Sequence, residues 1–222
     1  MEMLDFARRY APIVHVDENE TIPLIAYGIT VFEETRRSGS FPKREVYVPE
    51  GCRVIEYACF WDYDIQHMYD LEHIWVTVGP DGHVVRAEGS FHGKYLNLYD
   101  PDMPFATAPA DDHVHAFCQP GKHAFMADGQ QFRLIPGWFE SCNSLAGGDV
   151  LVGGPFGGRY KPTDEDNARC MRYLKENLTF QPTLHFQIME GDAQYMTWET
   201  MAEWIPERVA QECRRLEELY KE

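Results

Sequence analysis

Positive charge is scarce in this sequence: 20 Lys and Arg stand against 36 Asp and Glu, a formal net charge of −16 over 222 residues. Such a balance offers no broad field for nucleic-acid phosphates or anionic lipid, and makes cations the natural partners. Long apolar runs are also missing, since none approaches the roughly 18 residues that span a bilayer. The opening segment MEMLDFARRYAPIVHVDENE has no basic stretch followed by a long apolar one, so the chain reads as soluble, unexported and cytoplasmic. There is no C-x-x-C pair; cysteines 52, 59, 118, 142, 170 and 213 are scattered, as expected of reduced and mostly buried thiols. The glycine-rich stretch 146–158 lacks G-x-G-x-x-G order and a following Lys-Ser or Lys-Thr, which argues against a phosphate loop. In Gly89-Ser90-Phe91-His92-Gly93 the serine is displaced from the G-x-S-x-G position, which argues against a serine-hydrolase elbow.

What the chain does have is core material, with 44% apolar and 14% aromatic residues. Short aromatic and β-branched runs, broken by Pro, Gly, Asn and Asp, predict strands over 12–16, 24–32, 45–48, 54–62, 70–78, 83–89, 113–118, 131–135, 149–152 and 183–189. Thr163 and the acidic residues after it predict a helix over 164–177. Thr200 with Glu203 predicts a capping box opening a second helical stretch. Pro206 should interrupt that stretch before Val209, Cys213, Leu216 and Tyr220 form an amphipathic face. Residues 96–112, with three prolines and four aspartates, predict a long loop. The expected fold is mainly β with α: an antiparallel β-sandwich with peripheral and C-terminal helices. It is read as one domain over 1–222, the sandwich and its site over 10–160 and a helical and strand C-terminal part over 161–222 packed on it.

The chemistry concentrates in residues 61–95, WDYDIQHMYDLEHIWVTVGPDGHVVRAEGSFHGKY. In a strand, Asp70 and Glu72 share a face and His73 takes the other. A tight turn at Gly79-Pro80-Asp81-Gly82 would pair Val78 with His83, and that register sets Glu72 opposite Gly89 and brings His92 diagonal to Asp70. Asp62, Asp64 and His67 would lie at the same end of the sheet. Crowded carboxylates repel, and burying one unpaired costs roughly 2–5 kcal/mol, so a bound cation would resolve the conflict. Mixed carboxylate oxygen and imidazole nitrogen donors suit Mg, Ca or Mn, with Zn also open. The alternative is a solvated acidic loop flanked by histidines, and spacing alone does not choose between them. An internal echo between HVVRAEGSFHGKY (83–95) and HVHAFCQPGKHAFM (113–126) would offer His92 and His123 to one cavity.

The run His67-Met68-Tyr69-Asp70-Leu71-Glu72-His73 resembles the H-x-x-D-x-E-H pattern of the necrosis- and ethylene-inducing-like proteins and their vacuolar-sorting-like relatives. Gly89-Ser90-Phe91-His92-Gly93-Lys94-Tyr95 and Tyr10-Ala11-Pro12-Ile13-Val14 match further segments of that group. The resemblance, over roughly 10–125, implies a β-sandwich with a divalent cation held by His67, Asp70 and Glu72, by an upstream Asp62 or Asp64, and by His92 directly or through water, with His123 less secured. Leu71 replaces the Trp of the toxin-like members, and Ile65-Gln66-His67-Met68 replaces Gly-His-Arg-His, which points away from cytolysis and toward the intracellular branch. Two functions follow as expectations. One is a metal-dependent hydrolase with His73 or His92 as base; the other is a non-catalytic module in which the cation bridges to a carbohydrate or lipid headgroup. The expected partner is a small molecule or glycan; oligomeric state is not legible.

Overall fold

A computed structural model describes residues 2–103, 109, 111–148, 150 and 157–221. Among these, the strands in chain order are β1 (Ile13–Asp17), β2 (Leu24–Phe32), β3 (Arg36–Arg37), β4 (Glu45–Val46), β5 (Arg53–Tyr63), β6 (Met68–Val78), β7 (Val84–Phe91), β8 (Lys94–Tyr99), β9 (His115–Cys118), β10 (Phe125–Met126), β11 (Phe186–Ile188) and β12 (Gln194–Thr197). Six strands form one sheet in the order β12-β2-β5-β6-β7-β8, and four form a second in the order β10-β9-β1-β11. The pairing is mainly antiparallel, with β1/β9 and β2/β12 parallel. The fold is thus α+β and mainly β, two open sheets face to face with helices packed against them.

Strands β5 and β6 are the longest because their sequences, RVIEYACFWDY and MYDLEHIWVTV, are dense in residues that favour the pleat. β5 is buried along nearly its whole length instead of alternating, because both faces are covered. Of its inner residues, Tyr57 donates to Ala7 O of the N-terminal helix at 2.7 Å, and Trp61 meets Phe125 of the four-stranded sheet. A Cβ on Gly89 would lie 2.6 Å from Phe125 Cβ, so the sheets touch there at backbone distance. The outer face receives α4 (Trp198–Leu219) and the arm carrying β3 and β4, where Phe32, Val46, Val54 and Trp75 form a smaller cluster.

Several expectations change. The stretch 131–135 is a 3₁₀ segment, Gly129–Leu134, because Asp128 caps it by accepting from the Gln130 N–H at 2.9 Å. The α4 helix starts before Thr200: Thr197 is the cap, its Oγ1 accepting from Thr200 N at 3.2 Å. Pro206 does not break it. Proline leaves the carbonyl four residues earlier without its usual partner, and Arg159 Nη1 donates to that Ala202 oxygen at 2.8 Å. The predicted helix 164–177 is present as α3 (Asp164–Tyr173) running into a π-helical turn, Leu174–Leu178, with Thr163 and Asp166 forming a capping box. Strand β8 occupies the start of the expected 96–112 loop. Asp149 and most of the expected strand 149–152 lie outside the described residues; Val150 makes an isolated bridge to Met68. Helices α1 (Met3–Arg9) and α2 (Trp138–Ser141) and strand β12 were not anticipated. No helix among the described residues is long and apolar enough to cross a membrane.

Candidate cation site

The β6/β7 hairpin does not have the counted register. Gly79 N donates to His83 O at 2.8 Å, which keeps His83 in the loop, and Val78 pairs with Val84. A bulge between Thr77 and Val78 then sets Ile74, not Glu72, opposite Gly89. The net shift is two residues. Because the side-chain period of a strand is also two, every residue keeps its expected face. Asp70 pairs with Trp61 and Glu72 with Cys59 on the inner face, while His73 pairs with Ala58 on the outer one.

Asp64 lies just past the end of β5 and is 1% exposed. Its Oδ1 accepts from Gln66 N at 2.6 Å and His67 N at 2.7 Å, which turns the chain toward β6. Its Oδ2 accepts from Lys122 Nζ and lies 3.2 Å from His67 Nε2. His67 Nδ1 donates to Tyr69 O at 2.9 Å. Asp70 Oδ1 accepts from Leu71 N at 2.9 Å, and Oδ2 faces His123 Nδ1 at 3.1 Å. Glu72 Oε2 accepts from the Ser90 hydroxyl. His123 is fully buried, stacks on Trp61 with ring centroids 4.4 Å apart, and leaves Nε2 without a partner.

Electrostatics separates the two strand carboxylates. Burial pushes both up, and the neighbouring Asp70 pushes Glu72 further, so Glu72 sits well above the usual carboxylate range. For Asp70 the hydrogen bond and charge of His123, with His67 and Lys122, outweigh burial and hold it below that range. His123 is raised: burial opposes its charge, but Asp70, Glu20 and Asp64 overcome it. Asp70 and His123 therefore each favour the charged form of the other, beside a Glu72 whose carboxyl is pushed toward its neutral form.

Of the residues read from sequence, Asp64, His67, Asp70, Glu72 and His123 converge at one end of the sandwich. Asp62 does not join them; it points outward from β5 into a two-pronged pair with Arg208, at 2.8 and 2.7 Å. His73 lies on the outer face, 2% exposed, with Nε2 3.0 Å from Ser40 Oγ. His92 is exposed on the turn after β7 and its Nε2 donates to Gln119 Oε1 at 2.7 Å. The echoed segments do form similar units, since His92 and His123 both follow a strand and both take positive φ, 48° and 56°. Only His123 reaches the carboxylates.

Sequence reasoning missed Lys122, Glu20 and Ser90. Glu20 Oε2 accepts from Gly121 N at 2.7 Å and helps fix the 119–123 turn that carries both Lys122 and His123. The Pro120-Gly121 turn next to His123 was the available signal for Lys122.

No protein-family profile matches the sequence, and no curated protein matches it. Eight solved chains match. One is described as NLPPya in complex with glucosamine, at 13% identity over 55% of this chain and 66% of that one, with a TM-score of 0.36. Another, described as "Toxin fold for microbial attack and plant defense", has 15% identity over 55% and 66%, with a TM-score of 0.37. A triple mutant of NLPPya has 16% identity over 75% and 88%, with a TM-score of 0.38. These neighbours are necrosis- and ethylene-inducing-like proteins at low identity, and the chain spans just under two thirds of the length of the first.

Proposed function

We propose that this chain is a divalent-cation-binding protein that presents the ion to an oxygen-rich small ligand such as a sugar, holding the ligand without breaking a bond. The observation that carries the reading is the placement of Asp70 and Glu72 side by side on the inner face, with the charge of Asp70 pushing Glu72 toward its neutral form. The donor set fits such an ion: Asp64, Asp70 and Glu72 would supply oxygen, and His67 or His123 nitrogen. The buried His123 Nε2 has no partner, and an ion that displaces its proton would gain a nitrogen donor there. Among the described residues, no three of His, Cys, Asp and Glu stand in an arrangement ready to hold a metal ion. Binding would therefore draw these side chains together. When bound, the ion would neutralise the carboxylates and accept ligand hydroxyl oxygens.

Binding is favoured over hydrolysis by where the two candidate bases lie. His73 is across the sheet, and the His92 Nε2 is committed to Gln119. Thermal or urea unfolding with Mn²⁺, Ca²⁺ and Zn²⁺ tests the reading. At a hundredfold excess over its dissociation constant, the right ion should stabilise the wild type by about 2.7 kcal/mol. The D70N/E72Q pair should lose most of that gain. Absence of stabilisation by any of the three ions would end the cation reading. Cation-dependent glycan-array binding without turnover supports the module; turnover of an ester, phosphoester or amide substrate would replace it with the hydrolase.

A further inference from the structure

A lysine ammonium already stands where the positive charge is needed. Lys122 Nζ donates to Asp64 Oδ2 and, at 3.1 Å, to Gln66 Oε1. Its side chain is 14% exposed and that of Asp64 2%, so the pair is largely withdrawn from water. Its charge also extends beyond Asp64, acting on both Asp70 and Glu72. The backbone beneath it is fixed: Gly121 O accepts from Ile65 N at 2.7 Å, Lys122 N donates to Gln119 O at 3.1 Å, and Gln119 N donates to Ala124 O at 2.7 Å. The four-carbon stem of a lysine is by contrast flexible, and its ammonium is readily rehydrated at a protein surface.

Resting on the cation reading above, we propose that Lys122 is a tethered counter-ion that competes with the external cation for the site. A divalent ion and the ammonium cannot both lie against Asp64 without repelling each other. Entry of the ion turns the Lys122 side chain out toward water, and loss of the ion lets it return. The site then stays charge-compensated in both states, and the affinity for the ion is set partly by the cost of expelling Lys122. Gln66 has the role of a second, neutral acceptor that holds the ammonium in the resting state.

Two measurements test this. The first compares Mn²⁺ and Ca²⁺ affinity, by calorimetry, in the wild type and in K122M, which keeps the stem and drops the charge, with K122R as the charge-keeping comparison. K122M should bind the ion at least about tenfold more tightly, while K122R stays close to wild type. The second needs no variant: mass spectrometry of lysine acetylation in wild-type protein should show Lys122 labelled several-fold faster when Mn²⁺ is added, with Lys43 and Lys94 unchanged. Equal or weaker binding by K122M, or Lys122 labelling that stays flat or falls with a bound ion, overturns the counter-ion role while leaving the cation site intact. Binding by K122M alone upholds the counter-ion and ends the cation reading for the natural chain. Failure of both proteins to bind either ion, with K122M folded by near-ultraviolet circular dichroism, overturns both. Should K122M not fold, the labelling experiment decides.

Discussion

Replacing Asp17 by alanine should destabilise the fold by about 3–5 kcal/mol, the scale seen when a buried charged partner is removed from its hydrogen bonds. Asp17 ends β1 and is 0% exposed. Its Oδ1 accepts from Asn19 N at 3.0 Å, and its Oδ2 accepts from Thr183 N at 2.8 Å and Leu184 N at 2.7 Å. Alanine leaves all three backbone donors without this acceptor. Leu184 is also held at φ 59°, a left-handed conformation that costs a branched side chain about 1–3 kcal/mol and persists only when its surroundings impose it. Asparagine should cost less, about 1–2 kcal/mol, because one amide oxygen can still serve Thr183 and Leu184 while its NH₂ confronts Asn19 N–H. Urea unfolding at neutral pH checks the order alanine, asparagine, wild type. The same segment leads to Glu20, which braces Gly121, so D17A should also weaken the proposed cation binding through the 119–123 turn. A D17A protein within 1 kcal/mol of wild type would show that the 183–184 segment is held by other contacts.

The strand runs of β5 and β6 were legible because aromatic and β-branched residues cluster there without Gly or Pro. The placement of Asp70 and Glu72 on one face and His73 on the other was legible for a simpler reason. Parity survives a register error of two, so a miscounted hairpin loop still gave the correct faces. His92 had no such protection, since its position relative to Asp70 depended on the register itself. Asp62 could be separated from Asp64 only by knowing that β5 continues to Tyr63, which keeps Asp62 within the alternation and on the outer face, and leaves Asp64 beyond it. Lys122 and Glu20 were hidden because their partners are remote in the chain, 58 residues away for Lys122–Asp64 and 101 for Glu20–Gly121. A lone lysine in a Pro-Gly turn reads as solvated. Strand β12 was hidden for the same reason, since Gln194 pairs in parallel with Ala26. At Pro206 the local rule was sound, and a remote arginine supplied what proline removes.

Acid should unfold the protein partly through His73, a histidine on the opposite face of β6 from the acidic cluster. The Ser40 hydroxyl donates to Glu56 Oε1 at 2.6 Å, so Ser40 Oγ must accept from His73 Nε2–H at 3.0 Å, which leaves Nδ1 as a bare, unpartnered nitrogen. Trp75 Nε1 donates to the other Glu56 oxygen at 2.7 Å, and Phe41 and Trp75 close over the imidazole. Burial, reinforced by the Arg44 cation, lowers His73 to about 3; Asp70, across the sheet, pulls weakly the other way, and Glu56 faces it through Ser40. The unfolded chain takes up this proton near pH 6.5, the folded chain only near pH 3, so between those values the unfolded state binds more protons. The stability this site contributes is complete above pH 6.5 and is lost as pH falls toward 3, by about 1.4 kcal/mol per pH unit. His73→Gln keeps an N–H for Ser40 and removes the titration. It should be less stable than wild type at pH 7, by about 1–2 kcal/mol, yet fall less steeply with acid, so that the two converge and cross before about pH 5. The acidic cluster is present in both proteins, so its own titration cancels in the difference. Urea unfolding of both from pH 7.5 to 4.5 measures it; parallel curves would mean that His73 takes up its proton in the folded state as readily as in the unfolded one.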